Sequence, residues 1–252
     1  MDIDLVYLWV DGSDPKWLAK HNACIGKTEE KSTVNCKGRY ADNDELKYSL
    51  RSVGMYAPWV RKVFIVTDSQ TPEWLDTSNT KVKVVDHKEI MPEVCLPCFN
   101  ATVIEHFLWK IPGLSEHFLF ANDDMLINRP LAPGFFFADD GLPIIRLNHS
   151  GLRNFYLQFK KKLLGIQFKN YVQIVYNAAK LVEREYGVFY GCKTHHNIDA
   201  YLKSDYQRVE QMFAKEIEPT LTNHVRSAND IQRRRFAYVA MAEQRGHPVY
   251  VD

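Results

Sequence analysis

The chain opens on a β-branched and aromatic run, Ile3-Asp4-Leu5-Val6-Tyr7-Leu8-Trp9-Val10, that ends at the turn formers Asp11-Gly12-Ser13-Asp14-Pro15. That pattern predicts a buried strand entering a loop. Residues 20–41 are polar and aperiodic, which predicts a long loop. At Asp42 a helical pattern begins: Asn43, Asp44 and Glu45 load its first turn with negative charge, and Leu46, Leu50 and Val53 share a face. Two more strands, 62–67 and 82–85, stop at Asp68-Ser69-Gln70-Thr71-Pro72 and at Asp86-His87. A helix over 101–109 leads to a fourth strand, 117–121, which runs directly into Asn122-Asp123-Asp124.

Strands alternating with helices predict an α/β fold whose mostly parallel sheet is flanked by helices. Beyond 150 the texture turns helical, with Phe155, Tyr156, Phe159, Leu163 and Leu164 in one stretch and Ile174, Val175, Ala178, Leu181 and Val182 in the next. Residues 187–192 interrupt it, two more helical segments are expected at 198–213 and 230–244, and a short strand at 248–251 closes the chain. The expected organisation is one domain over 1–252. It comprises an α/β half (1–149), a helical region (150–192) and a final segment (193–252).

Ligands of such sheets bind beyond the C-terminal ends of the strands, which draws attention to what stands there. Two adjacent carboxylates, Asp123 and Asp124, repel one another, and a hard divalent cation is the usual compensation; Mg²⁺ or Mn²⁺ suits oxygen ligands better than zinc. A capping turn with solvated acids would read the same way. Asp11, Asp14 and Asp68 also end strands and would meet on one edge of a doubly wound sheet. Lys193-Thr194-His195-His196-Asn197 offers two imidazoles, one of which could act as a general base. Arg226-Ser227-Ala228-Asn229-Asp230 reads as a helix start, where Ser227 or Asn229 could cap and Arg226 could reach a phosphate.

With 46% hydrophobic and 25% charged residues in 252, the chain can bury a full core. It has no apolar run long enough to span a bilayer, and its start lacks a secretory pattern, so the expectation is a cytoplasmic protein working at the inner face of the membrane. The formal charge of +1 hides an asymmetry: residues 1–150 carry 16 Lys and Arg against 21 Asp and Glu, whereas 151–252 carry 16 against 10. An acidic half and a basic half suit a metal–phosphate ligand. Five cysteines at irregular spacing make a poor disulfide framework, and Cys95-Leu96-Pro97-Cys98 is a lone CxxC with no second pair for zinc. The aromatic and lysine-rich stretch 155–169 could rest peripherally on an anionic membrane, while Arg233-Arg234-Arg235 is too short a basic run to imply nucleic acid.

These segments, in this order, resemble the Stealth family of sugar-1-phosphate transferases. The resemblance is carried by 4–12, by 39–52 with 57–61 and 64–67, by Ile104-Glu105 through Phe120-Ala121-Asn122-Asp123-Asp124, by 195–199 and by 226–230. It implies transfer of a hexose-1-phosphate from a UDP-sugar to a hydroxyl of an oligo- or polysaccharide acceptor, releasing UMP and requiring Mg²⁺, in cell-surface or capsular polysaccharide synthesis. The implied fold is similar to the GT-A glycosyltransferases. The resemblance further implies that Trp9, Val10, Asp11, Gly12, Arg51 and Asn122 bind the nucleotide sugar. Asp123 and Asp124 would bear on metal and diphosphate, His195 or His196 would be the base, and Arg226 would stabilise the transferred phosphoryl group. A conventional glycosyltransferase releasing UDP and a non-catalytic nucleotide-sugar-binding protein are the alternatives.

Overall fold

A computed structural model of the protein describes residues 1–29, 40–148, 156, 159–161, 165, 168–191 and 197–251. Its centre is a five-stranded sheet. The strands are β1 (Ile3–Leu8), β2 (Val63–Thr67), β3 (Val82–Asp86) and β4 (His117–Asn122), with β6 (Asp199–Leu202) at one edge, in the order β3-β2-β1-β4-β6. β1, β2, β3 and β4 run parallel, and β6 pairs with β4 antiparallel. β5 (Ile144–Asn148) pairs in parallel with β7 (His247–Val251) as a separate ribbon.

The near-continuous apolar sequences of β1 and β2 follow from burial on both faces, as parallel sheets require. Side chains alternate across the sheet, so Val6, Phe64, Val66, Phe118 and Phe120 enter one core while Leu5, Tyr7, Val63, Ile65 and Leu119 enter the other. The second core is closed by α2 (Glu45–Tyr56) through Leu46 and Val53. The first is closed by α5 (Asn170–Tyr186), α6 (Lys203–Met212) and α7 (Arg234–Ala242), the last two packing Val209 and Val239 against it. Each fully buried aliphatic side chain of this kind contributes about 1.5–3 kcal/mol.

The N-terminal strand ends are tied by charge. The carboxylate of Asp4, 0% exposed, accepts from Arg61 Nε at 2.9 Å and from the backbone N–H groups of Lys62 at 3.1 Å and Ser115 at 2.7 Å. Because every acceptor position is used, the buried charge is stabilised where an unpaired one would cost several kcal/mol. β1, β2 and β4 are thereby locked at one end, and their opposite ends open into the functional site.

The sequence reading and the structure part company at several elements. The loop expected at 20–41 is largely α1 (Pro15–Glu29), which starts where Asp14 accepts the Lys16 N–H at 2.8 Å and Pro15 takes the first helical position. Asp42, Asn43 and Asp44 precede α2 rather than begin it, and Asp44 turns the chain with φ at 67°. In place of a helix from 198 there is first the edge strand β6, and in place of one from 230 the helix starts at Arg234. The Asp230 side chain instead folds back to accept the Ser227 N–H at 2.9 Å. The helix at 101–109 is α4 (Ala101–Glu105) followed by a tighter turn, Leu108–Lys110, while α3 (His87–Ile90) and β5 are elements the sequence pattern did not announce.

The basic triplet points inward. Arg233 pairs with Glu105 at 2.7 Å and Asp199 at 3.1 Å, Arg234 donates to Tyr171 Oη at 2.8 Å, and Arg235 bonds to Glu210 and to His106 Nδ1. All three guanidinium groups are therefore engaged within the fold rather than presented to solvent. Cys95 and Cys98 are buried free thiols, and burial pushes the Cys98 thiol up to about 12. Among the described residues no helix is long and apolar enough to cross a membrane. The membrane-surface stretch at 155–169 lies mostly outside the described residues.

Candidate active site

From β1 the chain passes outward to β2 and β3, then returns to β4 on the other side of β1. The loops leaving the C-terminal ends of β1 and β4 therefore diverge, and a crevice opens between them. A cleft of about 240 Å³ occupies this point, its floor made by Trp9, Val10, Val66, Asp68 and His87 and one wall by Asn122, Asp123 and Asp124. Arg226 lines it from the far side of the molecule's sequence.

The wall is electrostatically unbalanced. Burial, and secondarily the charge of Asp124, push the Asp123 carboxyl up to about 6. Beneath it, Tyr7 Oη and Ser49 Oγ lie 2.7 Å apart, and Ser49 donates to the Met125 carbonyl at 2.5 Å, which fixes the turn after β4 from below. A raised carboxyl beside a second carboxylate is the arrangement a cation relieves, so Asp123 and Asp124 are the residues that could hold a divalent metal. Among the described residues no group of three or more His, Cys, Asp and Glu side chains converges. Two protein carboxylates leave most of an octahedral shell to water and ligand phosphates, which fits Mg²⁺ and does not fit a protein-enclosed zinc site.

Arg226 is delivered by a latch. Asp230, 1% exposed, accepts from Asn100 Nδ2 at 2.8 Å and Asn223 Nδ2 at 2.7 Å, and Asn100 also donates to the carbonyls of Asn223 and Val225 at 3.2 Å each. The Phe99 N–H reaches the His224 carbonyl at 2.7 Å. The Arg226 loop is thus clamped to the 98–101 segment, which itself lines the cleft.

The β1 loop is held differently. Gln70 donates to the Asp11 carbonyl at 2.9 Å and to Asp14 Oδ2 at 3.0 Å and accepts the Asp11 N–H at 3.1 Å. The Asp11 carboxylate turns back to accept the Ser13 N–H at 2.8 Å and its hydroxyl at 2.6 Å. Gly12 donates to the Tyr40 carbonyl at 2.8 Å, and a Cβ at Gly12 would lie 2.4 Å from that oxygen, so only glycine admits Tyr40 here. Tyr40 stands 4.9 Å from Trp17, and Trp17 is edge-on to Phe99 at 5.2 Å, giving the cleft an aromatic side. Burial holds the Asp42 carboxyl above its ordinary value, offset in part by the Asp44 N–H and by the neighbouring Trp9 indole.

Of the residues singled out from the sequence, Trp9, Val10, Asp68, Asn122, Asp123, Asp124 and Arg226 meet in one cleft. Asp11, Gly12 and Asp14 shape its rim. Arg51 does not enter it: it is exposed on α2, its guanidinium 5.7 Å from the Tyr48 ring. His195 and His196 lie outside the described residues. Trp17, Tyr40, His87, Phe99 and the Asn100 latch were missed, and only His87, directly after a strand-end Asp, carried a positional signal.

The two Stealth conserved regions fall on this half of the chain: conserved region 1 matches residues 1–29 and conserved region 2 matches 39–145. The chain belongs to the Stealth family. Its Stealth relatives include the capsular polysaccharide phosphotransferase fcs1 of Haemophilus influenzae, 36% identical over 238 residues, which cover 93% of this chain and 63% of that protein. The exopolysaccharide phosphotransferase SCO2594 of Streptomyces coelicolor is 39% identical over 230 residues, 91% of this chain and 37% of its own. The exopolysaccharide phosphotransferase cps2G of Lactiplantibacillus plantarum is 51% identical over 142 residues, 56% of this chain and 41% of its own. This Stealth chain therefore spans less than two thirds of these relatives' length. Among solved structures, a galactosyltransferase in complex with donor and acceptor sugar analogues aligns with 98% of the chain and 73% of its own, at 10% identity and a TM-score of 0.46.

Proposed function

We propose that the chain transfers a sugar-1-phosphate from a UDP-sugar to a hydroxyl of an oligo- or polysaccharide acceptor, in the synthesis of a cell-surface polysaccharide. The observation that carries this reading is the placement of Asp123, Asp124 and Arg226 around one cleft at the switch point of a Stealth chain. The names of the relatives, phosphotransferases of capsular and exopolysaccharides, support the substrate class.

Attack on the β-phosphorus forms a bond to the acceptor oxygen and breaks the bond to the bridging oxygen of UMP, which leaves with the electron pair. Asp123 and Asp124 would hold Mg²⁺, which neutralises charge on the diphosphate when bound. Arg226, on the opposite side, offsets charge on the phosphoryl oxygens with a planar fork of N–H donors. A base must take the acceptor proton, and by the family resemblance His195 or His196 fills that role. A groove of about 340 Å³ on the other side of Asp124, lined by Asn128, Arg129, Phe135 and Asn197, gives the acceptor a route to the same carboxylate.

The test is to incubate the purified protein with Mg²⁺, a panel of UDP-sugars and short oligosaccharides and to identify the released nucleotide by mass spectrometry. UMP that vanishes with EDTA and in Asp124→Asn supports the reading. UDP release replaces it with ordinary glycosyltransfer, and binding without either product replaces it with a non-catalytic role.

A further inference from the structure

The end of the cleft away from Asp123 has unmet hydrogen-bonding capacity. At the C-terminal end of β3, His87 Nδ1 is a buried polar atom with no hydrogen-bond partner among the described residues. Folded chains pair nearly all such atoms, so this one, on a residue that lines the cleft, calls for a partner the described residues do not supply. Thr67 lies opposite Asp86 in the β2–β3 register. The residues that follow them, Asp68 and His87, therefore stand side by side at about the 4.8 Å spacing of neighbouring strands. Both line the cleft, and they are 7% and 5% exposed.

Their chemistry is complementary. Burial pulls His87 down to about 4 against the opposing charges of Asp68 and Asp86, so its ring is neutral near pH 7 and keeps one donor and one acceptor. Lys20 pairs with Oδ2 of Asp68, which leaves Oδ1 as an acceptor. Above this pair, Trp17, Tyr40 and Phe99 supply the flat apolar surfaces on which a planar base stacks. From β4 to β3 is three strand spacings, roughly 14 Å. That span accommodates a diphosphate at Asp123 and Asp124, a ribose over β1 and a base over β2 and β3.

We infer that Asp68 and His87 are the base-reading residues of this cleft and that the base they select is uracil, with Asp68 accepting N3–H and His87 donating to a flanking carbonyl. The inference rests on the reading of the cleft as a nucleotide-sugar site, and adds which residues set its nucleotide specificity. Uracil presents a donor between two acceptors, whereas cytosine places a lone pair at N3, against the Asp68 carboxylate. A site built to hydrogen-bond one group rejects a ligand lacking it far more strongly than an apolar pocket rejects a change of size.

The deciding experiment is calorimetric binding of UDP, CDP and N3-methyl-UDP, with Mg²⁺, to the whole chain and to Asp68→Asn. UDP is expected to bind at least about tenfold more tightly than the other two. Asp68→Asn should bring UDP and CDP within about threefold of each other while UDP binding still responds to Mg²⁺. Equal affinity of the unaltered protein for all three ligands overturns the inference, and does so even if Asp68→Asn fails to fold. Uracil preference without UMP release removes the transferase reading and leaves this one standing; UMP release without uracil preference does the reverse.

Discussion

Asn100 and Asp230, 130 positions apart in sequence, meet in a buried hydrogen bond of 2.8 Å that fixes the loop carrying Arg226 against the wall of the cleft. Asn100 is also the N-cap of α4, its Oδ1 accepting the Thr102 N–H at 3.2 Å, so one amide organises both sides of the contact.

Asn100→Ala should therefore separate positioning from binding. Removing the amide leaves Asp230 and the carbonyls of Asn223 and Val225 short of a donor, a loss of about 1–3 kcal/mol in stability. Arg226 would lose its fixed aim, and an interaction made mainly in the transition state affects kcat rather than KM. In the assay for released UMP, kcat should fall at least about tenfold with donor KM nearly unchanged. A variant with full kcat and only a lowered melting midpoint would make the latch purely structural.

Gly12→Ala tests the aromatic side of the cleft. The new methyl would lie 2.4 Å from the Tyr40 carbonyl oxygen and 2.5 Å from the Tyr40 Cβ. Backbone, not a side-chain tip, must yield, which moves Tyr40 off Trp17. Nucleotide affinity, read by calorimetry with UDP, should drop at least about tenfold, the scale of losing one stacked face. Unchanged affinity would place the base elsewhere.

Stability should carry an acid-side signal from His87. Its folded value, about 4, lies below the ordinary 6.5. Between those limits the unfolded chain binds a proton that the folded chain refuses. The stabilisation is thus complete above pH 6.5 and is lost as pH falls towards 4, to a limit of about 3 kcal/mol for this one residue. Urea midpoints of the unaltered protein and of His87→Leu, measured from pH 7.5 to 4.5, should show a steeper fall in the former. Parallel curves would mean that His87 titrates at its ordinary value in the folded protein.

The sequence disclosed the sheet and its chemical edge because both depend on local pattern. Apolar runs ending in Asp11, Asp68, Asp86 and Asn122-Asp123-Asp124 mark β1, β2, β3 and β4 and place polar groups at their C-terminal ends. What it concealed depends on contacts between distant positions. Nothing local distinguishes Asn100 from a simple helix cap, and Tyr40 becomes a cleft residue only because Gly12 lets its backbone close in. α1 was hidden for a different reason: Asp14-Pro15 is equally a turn and a helix start, and burial of Trp17 and His21 against Tyr40 and Phe99 decides for the helix. Arg51, assigned to the nucleotide sugar by the family resemblance alone, lies exposed on α2 and does not line the cleft.

The buried group of Arg235, Glu210 and His106 offers the sharpest energetic contrast. Arg235 is 1% exposed and Glu210 9%, and the guanidinium and the imidazole, each beside the carboxylate, hold the Glu210 carboxyl below its ordinary value. Removing one charge strands the other without water, which costs about 3–5 kcal/mol, whereas replacing both by apolar groups of similar volume is often neutral. Arg235→Met alone should therefore lower the free energy of unfolding by several kcal/mol, and adding Glu210→Leu should restore most of it, as read from urea unfolding at pH 7. If the double variant is as unstable as the single one, the pair is a net source of stability in its own right. The arginine triplet would then have been placed for binding energy within the fold, not merely to satisfy its buried neighbours.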